Sequence, residues 1–421
     1  MALTSTDYPT MRAITLCHHV VFALTVTPLV AQVSKDPTKE KEPAFVAAKP
    51  TPLKARQSKI TGLLIQELTE TKLVGSTSQM NVTATESKNA ANPSEVKFNQ
   101  DVGPQMESAL KEVKKFLSIR HTSWPKGWDM EVAFENHYNP KDGPSAAVAC
   151  ALLLDSLVSG AKLDEGFAVT GDLNADGAVR PVGGVPDKVR AASQKKCTGV
   201  CIPVKNVNAM VDHGVLKGPL PIAMIQIFSA TTFEEASKIV SLPRDKGLDG
   251  AMTSFSEIQK AIASQPNPQL WLKHPKVVEK LKAILKAAPN HLSAKVLLDI
   301  GEGRQPATMS PLSSITAIDT EAEQLMEFIK NDAVEKAQRD QLSGAMDRLA
   351  KLRPRLDKRT QGYADSIVEY GRALRFYLDS KVSGRDGAIR LITEMRAKTA
   401  KLQAESAALR SNKDLMESMA E

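Results

Sequence analysis

The pattern of the chain changes once, near Leu242, and this change most constrains the fold. Before it, short runs rich in β-branched residues, such as 79–85, alternate with segments of helical spacing. Such alternation predicts a mixed α/β domain. After it, and above all after Pro275, amphipathic helical patterns follow one another with almost no strand signal. The chain is long enough for two or three cores. We therefore expect an α+β (mixed α/β) domain over 57–242 and an all-α helical domain over 243–421.

The first of these regions predicts strands and helices in close succession. Expected strands are 62–68, 79–85, 128–134, 166–170, 178–181, 200–203 and 222–227, and expected helices are 105–119, 145–159, 186–196 and 232–240. In the second region the expected helices are 277–285, 291–300, 317–352, 358–381 and 384–419. Hairpin and crossover connections therefore occur together in the first region. In the second region the last expected helix, 384–419, is strongly charged and is either a bundle helix or a coiled-coil arm.

The N-terminal segment predicts export. An apolar stretch over 20–31 follows Arg12 and ends at a small residue, Ala31, which is typical of a secretory signal with cleavage after that position. We expect residues 1–31 to be a signal peptide, with either of the first two methionines as its start. Residues 32–56 are rich in Lys, Glu, Pro and Thr and predict a solvated linker. The expected location is periplasmic or secreted.

Charge, hydropathy and cysteine usage exclude several classes of protein. A net charge of +7 allows an acidic partner, but without a dense Lys/Arg stripe no nucleic-acid partner is expected. No later stretch approaches the roughly 18 to 20 apolar residues of a membrane helix, so no integral membrane segment is expected once the signal is removed. The sequence has four cysteines, and Cys17 leaves with the expected signal peptide. The remaining Cys150, Cys197 and Cys201 are an odd number and lack further ligands at metal-binding spacing. We interpret them as small buried hydrophobic residues and expect no metal and no cofactor.

Ser145 is the first residue whose position suggests chemistry. It follows Gly143 and Pro144 and opens an apolar helix. A serine in that position is most often a helix N-cap. A helix start also presents backbone N–H groups and a positive dipole end, which stabilise an oxyanion forming beside a serine hydroxyl. Ser145 is therefore either a cap or a nucleophile that needs a base.

Lys188 is the base that the sequence offers. It lies just inside the next predicted helix, after a Gly-Gly pair that allows close backbone approach. Such a lysine is ordinarily a solvated surface charge. If it is buried, its pKa falls and the neutral amine can accept a proton near neutral pH. Thr170 ends a strand, where its hydroxyl can orient that amine.

Three motifs in order resemble the proteolytic domain of Lon proteases, a family of Ser-Lys dyad peptidases. Pro-Lys-Asp-Gly-Pro-Ser-Ala at 140–146 resembles the family's catalytic serine motif almost letter for letter. Thr-Gly-Asp at 170–172 resembles its Thr-Gly-Glu, and Pro-Val-Gly-Gly at 181–184 resembles the segment before its catalytic lysine. Lys188 follows Ser145 by 43 positions, which is the spacing of the family.

The resemblance covers roughly residues 57 to 242 and implies a Lon-type peptidase fold that acts on protein or peptide substrates. It implies Ser145 as nucleophile, Lys188 as general base, and an oxyanion hole of backbone N–H groups near Ser145. It also implies supporting roles for Thr170, Asp142, Gly143 and Asp172. Asp172 departs from the family's glutamate, so that its carboxylate reaches less far, and Ala147 replaces a glycine.

Lon proteases normally carry an AAA+ ATPase, and this sequence lacks its phosphate-binding motif. A Walker A loop requires Gly-Lys followed by Ser or Thr, and no Gly-Lys dipeptide occurs in the 421 residues. The resemblance therefore implies an ATP-independent serine endopeptidase of unfolded or flexible chains, with an ATPase acting in trans left open. Because related peptidase domains form rings, it also implies a ring-like homo-oligomer.

Three alternatives remain beside this interpretation. Residues 172–177 resemble the start of a calcium loop, but the twelfth position is Gly183, so a hairpin turn is favoured. A Ser-His-Asp triad would need a histidine directed at the nucleophile, and the candidates are His121, His137 and His213. A catalytically inert Lon-type fold, acting as a binding or scaffold protein through its helical domain, is the third.

Overall fold

The computed structural model describes residues 49–67, 73–136, 141–330, 339–380 and 385–412. The expected signal peptide and most of the expected linker lie outside these residues. The strands are β1 (Gln57–Glu67), β2 (Leu73–Glu86), β3 (Glu95–Phe98), β4 (Trp128–Phe134), β5 (Lys162–Leu163), β6 (Phe167–Val169), β7 (Asp172–Leu173), β8 (Val179–Arg180), β9 (Gly199–Pro203), β10 (Gln226–Ala230) and β11 (Ser241–Leu242).

Helices alternate with these strands and then continue alone. They are α1 (Pro104–Arg120), α2 (Ala147–Ser159), α3 (Val185–Gln194), α4 (Val207–Lys217), α5 (Leu220–Ala223), α6 (Phe233–Val240), α7 (Lys246–Ala263), α8 (Pro268–Leu272), α9 (Pro275–Ala287), α10 (Leu292–Gly301), α11 (Pro311–Lys330), α12 (Arg339–Leu352), α13 (Gln361–Asp379) and α14 (Arg385–Ser411). Short 3-10 turns occupy Pro144–Ala146, Val204–Asn206, Arg353–Arg355 and Lys358–Thr360. None of the helices in the described part of the chain has the length and apolar character needed to cross a membrane.

Seven strands form the central sheet in the order β10-β9-β6-β1-β2-β4-β3. Neighbours are parallel at β10–β9, β9–β6, β6–β1 and β3–β4, and antiparallel at β1–β2 and β2–β4. Strands β6 and β9 are buried at every residue, as continuous apolar strands in the middle of a parallel sheet usually are. The mixed α/β region followed by a helical region agrees with the expected fold class.

The helix that follows Ser145 passes through the core. In α2 every residue from Ala147 to Leu157 is buried, because the segment is apolar apart from Asp155 and Ser156. It ends at Gly160, whose left-handed backbone (φ 76°) closes the last turn. The start of α2 is thereby fixed at the edge of the sheet, close to the end of β6.

One expected strand and one expected helix were wrong in part. Residues 222–227 were expected to be a strand, but α5 occupies the first part and β10 begins only at Gln226. Pro219 and Pro221 explain the difference, because proline has the backbone angle of a first helical turn and lacks the N–H that a strand needs. The single helix expected over 317–352 is observed as two, α11 and α12, which lie side by side so that Arg348 donates to Glu321 at 2.7 Å.

The buried core continues beyond the last strand. One hydrophobic cluster contains residues from Ile60 to Ile300 and so includes side chains of α7, α8, α9 and α10. A second cluster begins at Met309 and ends at Leu409. In packing terms the division therefore falls between α10 and α11, whereas the domain boundary expected at Leu242 stays a prediction.

Helix α4 joins these two clusters. The buried carboxylate of Asp212 accepts hydrogen bonds from the Ser310 amide at 3.0 Å and from the Ser310 hydroxyl at 2.5 Å. Near the end of α4, Arg355 donates to the carbonyl oxygen of Leu216 at 2.7 Å. The helical region after α10 is thus hydrogen-bonded to α4, a helix of the sheet-containing region.

His291 is a buried, neutral histidine at the junction of the sheet and α10. It is fully buried and lies 4.4 Å from the ring centres of both Phe228 and Phe255. Its Nδ1 accepts from the Ala294 amide at 3.3 Å, so Nε2 carries the proton and donates to Gln226 at 3.2 Å. Burial lowers its pKa to about 3.

We expect acid to destabilise the protein through His291. The unfolded chain protonates this ring below about pH 6.5, whereas the folded protein keeps it neutral, so stability falls as the pH falls from about 6.5 towards 3. At pH 5 the loss from this group is about 2 kcal/mol. Urea unfolding of wild type and His291→Asn at pH 7.5 and pH 5 measures it, and the variant should lose less stability. The matched control is His274→Asn, because exposed His274 caps α9 in the same way. Equal losses in wild type and His291→Asn would contradict the assignment.

Candidate active site

Ser145 lies in a tight turn that is held by the end of β6. The turn spans Pro144–Ala146, and Gly143 before it has a left-handed φ of 90° that glycine adopts without strain. The Gly171 amide donates to the Ser145 carbonyl oxygen at 2.9 Å, and the Val148 amide donates to the Gly171 carbonyl oxygen at 3.1 Å. Ser145 is half-buried. Its backbone is therefore fixed on both sides of the serine while its side chain keeps access to solvent.

Asp142 fixes the same loop to the start of α1. Its Oδ1 accepts from the amides of Gln105 at 3.0 Å, Met106 at 3.1 Å and Gly143 at 2.7 Å. It thus caps a helix whose own N-cap residue, Gly103, has no side chain to do so. A Cβ atom at Gly103 would lie 2.2 Å from the Asp142 Cγ atom, so only glycine leaves room for this carboxylate. The expected role of Asp142 in shaping the loop has a physical basis in these bonds.

Lys188 is buried in the first turn of α3. Its side chain is only 2% exposed, and burial alone lowers the pKa of its amine to about 8. Within the described residues no carboxylate forms a salt bridge with it, so nothing there holds the charged form. A second buried lysine, Lys141, is directed away to the carbonyl oxygen of Asn136 at 2.8 Å. Lys188 is therefore the amine suited to act as a base.

Thr170 joins Lys188 to the backbone of Ser145. Lys188 Nζ donates to Thr170 Oγ1 at 3.3 Å, and Thr170 Oγ1 donates to the Ser145 carbonyl oxygen at 3.2 Å. The single proton of the hydroxyl is used by that carbonyl, so Thr170 can only accept from the amine. The lone pair of a neutral Lys188 is then left for another donor.

The hydroxyl of Ser145 and the amine of Lys188 share this site without bonding to each other. Among the described residues, no direct hydrogen bond between Ser145 Oγ and Lys188 Nζ is present, and Thr170 is the link. Catalytic hydrogen bonds are often long in proteins without substrate and tighten when substrate binds. The arrangement brings together a half-buried hydroxyl, a buried amine of lowered pKa and a fixed helix start, which is what nucleophilic catalysis requires.

Asn206 was not assigned a role from the sequence, although its Pro-x-x-Asn turn was visible there. Its side-chain amide donates to the carbonyl oxygen of Val182 at 2.9 Å, and its Oδ1 accepts from the Val182 amide at 3.0 Å. This pair of bonds pins the loop before α3, which then enters the helix through Gly184 with a φ of 66°. Asn206 therefore holds the approach to Lys188.

Asp172 lies in the hairpin of β7 and β8, and its Oδ1 accepts from the Leu173 amide at 2.8 Å. That bond stabilises the hairpin and does not reach Lys188, so the supporting role of Asp172 stays a prediction. The turn of this hairpin is closed by the Gly177 amide, which donates to the Asn174 carbonyl oxygen at 2.9 Å, and by Asp176. The segment that resembled a calcium loop is thus a hairpin turn. In the described ranges, no group of three or more His, Cys, Asp or Glu side chains is arranged to hold a metal ion.

No described histidine forms a hydrogen bond with Ser145. His121 Nε2 lies 2.9 Å from Asp155 Oδ1, and Arg120 donates to the same oxygen at 2.8 Å. Asp155 is eight residues into α2, or about 12 Å along the helix from its first residue. His213 is half-buried in α4, and His137 lies outside the described residues. A Ser-His-Asp triad is therefore not assembled here by any described histidine.

The described cysteines are suited to packing and not to nucleophilic chemistry. Cys150 and Cys201 are free and buried, and burial raises the pKa of both thiols to about 12. Cys197 is free and half-buried, and burial raises the pKa of its thiol too. Thiols with raised pKa values are poor nucleophiles near neutral pH.

The geometry connects a half-buried serine and a buried lysine through one threonine hydroxyl. In a comparison with known proteins, residues 105–227 match the model of the Lon protease (S16) C-terminal proteolytic domain. This match contains Ser145, Thr170 and Lys188 and confirms the resemblance to the Lon proteolytic domain. It supports a serine peptidase in this segment.

Curated relatives agree over short stretches. Lon protease 2 of Bacillus subtilis (strain 168) is 29% identical over 165 residues, which are 37% of this chain and 28% of that protein. Lon protease 2 of Sorangium cellulosum (strain So ce56) is 40% identical over 89 residues, 21% of this chain and 11% of that protein. Lon protease of Clostridium beijerinckii is 47% identical over 68 residues, 16% of this chain and 9% of that protein. The chain thus spans less than a third of the length of these relatives.

Proposed function

We propose that this protein is an ATP-independent serine endopeptidase in which Ser145 and Lys188 form a catalytic dyad. The observation that carries the proposal is the burial of Lys188, with its amine bonded to Thr170 and Thr170 bonded in turn to the Ser145 carbonyl oxygen. A buried lysine without an anionic partner is destabilising unless it is neutral. A neutral amine beside a serine is a competent general base.

In the proposed mechanism, Ser145 Oγ attacks the scissile carbonyl carbon and its proton passes to Lys188 Nζ. The carbonyl oxygen becomes an oxyanion at the start of α2. The amides of Gly143, Ala147 and Val148 are already bonded to protein acceptors, and the Ala146 amide closes the first bond of the 3-10 turn, so the amide of Ser145 is the proposed oxyanion donor. Lys188 then returns the proton to the leaving amine, the carbonyl re-forms as the peptide C–N bond breaks, and the acyl group stays on Ser145 Oγ as an ester.

Deacylation reverses the roles. Lys188, neutral again, accepts a proton from water as the water oxygen attacks the acyl carbon, and Ser145 leaves as the hydroxyl. Thr170 keeps the amine oriented in both halves by accepting one of its hydrogens. No step in this sequence consumes ATP.

Substrate class and location belong to the same proposal. The 421 residues have no Walker A motif to drive unfolding. Unfolded, flexible or already nicked chains are therefore the proposed substrates. The apolar stretch after Arg12 supports export, where ATP is scarce.

Cleavage of casein without ATP tests the proposal. We expect the full chain to cleave casein at the same rate with and without ATP and Mg²⁺, and Ser145→Ala to lower cleavage by about 10⁴-fold or more. The matched control is Ser118→Ala on the exposed face of α1, whose hydroxyl only bonds to its own helix. Full activity of Ser145→Ala would overturn the proposal. An inactive wild type would instead favour an inert binding fold.

A further inference from the structure

The backbone of β2 presses directly against the backbone that carries Lys188. A Cβ atom at Gly75 would lie 2.0 Å from the Asp187 carbonyl oxygen, 2.4 Å from its carbonyl carbon and 2.8 Å from the Lys188 amide nitrogen. Ordinary van der Waals contact begins at 3.4 Å. The atoms that would be met are all backbone atoms, so no side chain can rotate away to make room. Any residue other than glycine at this position must push α3 and β2 apart.

The contact is reciprocal across the same hairpin. Ile65 of β1 lies opposite Gly75 in the strand register. A Cβ atom at Gly184, the residue before α3, would lie 2.6 Å from Ile65 Cδ1. One glycine on the hairpin thus admits the helix backbone, and one glycine before the helix admits the hairpin side chain. Together they seat the first turn of α3 against the β1–β2 hairpin.

This seating determines where the amine of Lys188 lies. Its side chain begins on the turn that Gly75 contacts and ends at Thr170, which is anchored to β9 through its amide and the Cys201 carbonyl oxygen. Thr170 is thus fixed by the β6–β9 part of the sheet, while Lys188 is fixed by the β1–β2 part. A displacement of α3 would change the distance between the two, and a misplacement of about 1 Å can cost 10²-fold in rate.

We propose that Gly75 is a positioning residue for catalysis, and that the β1–β2 hairpin is the stop that sets how deeply Lys188 enters the active site. The proposal rests on the proposed dyad for its effect on activity. Gly75 lies outside the three catalytic motifs and outside the segment that matches the proteolytic-domain model. Its role is to exclude a side chain, and it does not touch the reacting atoms.

The test compares Gly75→Ala with Ser76→Ala, a change to an exposed neighbour on the same strand. Two quantities are measured in the full chain: kcat and KM for a fluorogenic peptide, and the pKa of Lys188 from the ¹³Cε NMR signal of labelled lysine, assigned with Lys188→Met. We expect Gly75→Ala to lower kcat about 10- to 100-fold with KM nearly unchanged. The Lys188 pKa should rise from about 8 towards 10.5 as the amine gains water. Ser76→Ala should match wild type in both.

Ile65→Ala is the second variant, in case Gly75→Ala does not fold. It removes the side-chain atoms that contact Gly184 and adds none. It should lower kcat and raise the Lys188 pKa, as Gly75→Ala does, but by a smaller amount. A folded Gly75→Ala protein with wild-type kcat and wild-type Lys188 pKa would overturn the proposal. A Gly75→Ala protein that loses thermal stability but keeps its kcat and its Lys188 pKa would also overturn it. An inactive wild type whose Lys188 pKa still responds to Gly75→Ala would overturn the proposed function and leave the positioning role supported.

Discussion

Lys188→Met is expected to lower casein cleavage about 10²- to 10⁴-fold at pH 8, the usual contribution of a general base. Methionine matches the apolar stem of the buried side chain out to Cε, so the packing of α3 survives while the proton acceptor is lost. The matched control is Lys195→Met, because Lys195 is exposed at the end of the same helix and should leave the rate unchanged. If Lys188→Met retained most of the wild-type rate, another group would have to be the base.

The pH dependence of the wild type provides an independent check. Burial lowers the pKa of Lys188 to about 8, and only the neutral amine accepts a proton. The rate should therefore fall about tenfold per pH unit below 8 and reach a plateau above it. Initial rates of peptide cleavage between pH 6 and pH 10 measure this profile. A plateau that begins near pH 6.5 would point to a histidine instead.

The residues of the candidate site could be predicted from the sequence because they lie in short motifs. Ser145, Thr170 and Lys188 occur in the right order and spacing, and the structure joins the three through one hydroxyl. The surroundings could not be predicted in the same way. Asp142 caps α1 by accepting from an amide 37 residues earlier in the chain, and Gly75 makes room for a helix more than a hundred residues later. Close contacts between distant segments leave no periodic signal in the chain.

The extent of the core was also hidden from sequence patterns. The helices after Leu242 have amphipathic spacing, which indicates that one face is buried but does not say against what. In the folded protein, α7 and α10 bury that face against β10 through side chains such as Phe255 and Ser293. Composition suggested a separate helical domain, whereas packing extends the sheet's core through α10.

The residues after Leu242 complete the free edge of the sheet. The Ser229 amide donates to the Asn290 carbonyl oxygen at 3.0 Å, and the Ile227 amide donates to Ser293 Oγ at 3.0 Å. Phe255, fully buried, packs with the same region. Removing these partners would leave buried amides without acceptors and an apolar sheet edge open to pairing with other chains.

A chain that ends at Leu242 is therefore expected to be insoluble or unfolded, whereas a chain that ends at Pro306 should fold. The second cut falls between the two hydrophobic clusters and keeps α7 to α10. Circular dichroism and urea unfolding of both chains measure this. In the full chain, Phe255→Ala should lower the free energy of unfolding by about 3 to 5 kcal/mol. Phe376 is 63% exposed, and Phe376→Ala should lower it by less than about 0.5 kcal/mol. A soluble chain ending at Leu242 that unfolds cooperatively would show that the sheet needs no help from α7 to α10, and that these helices serve another purpose.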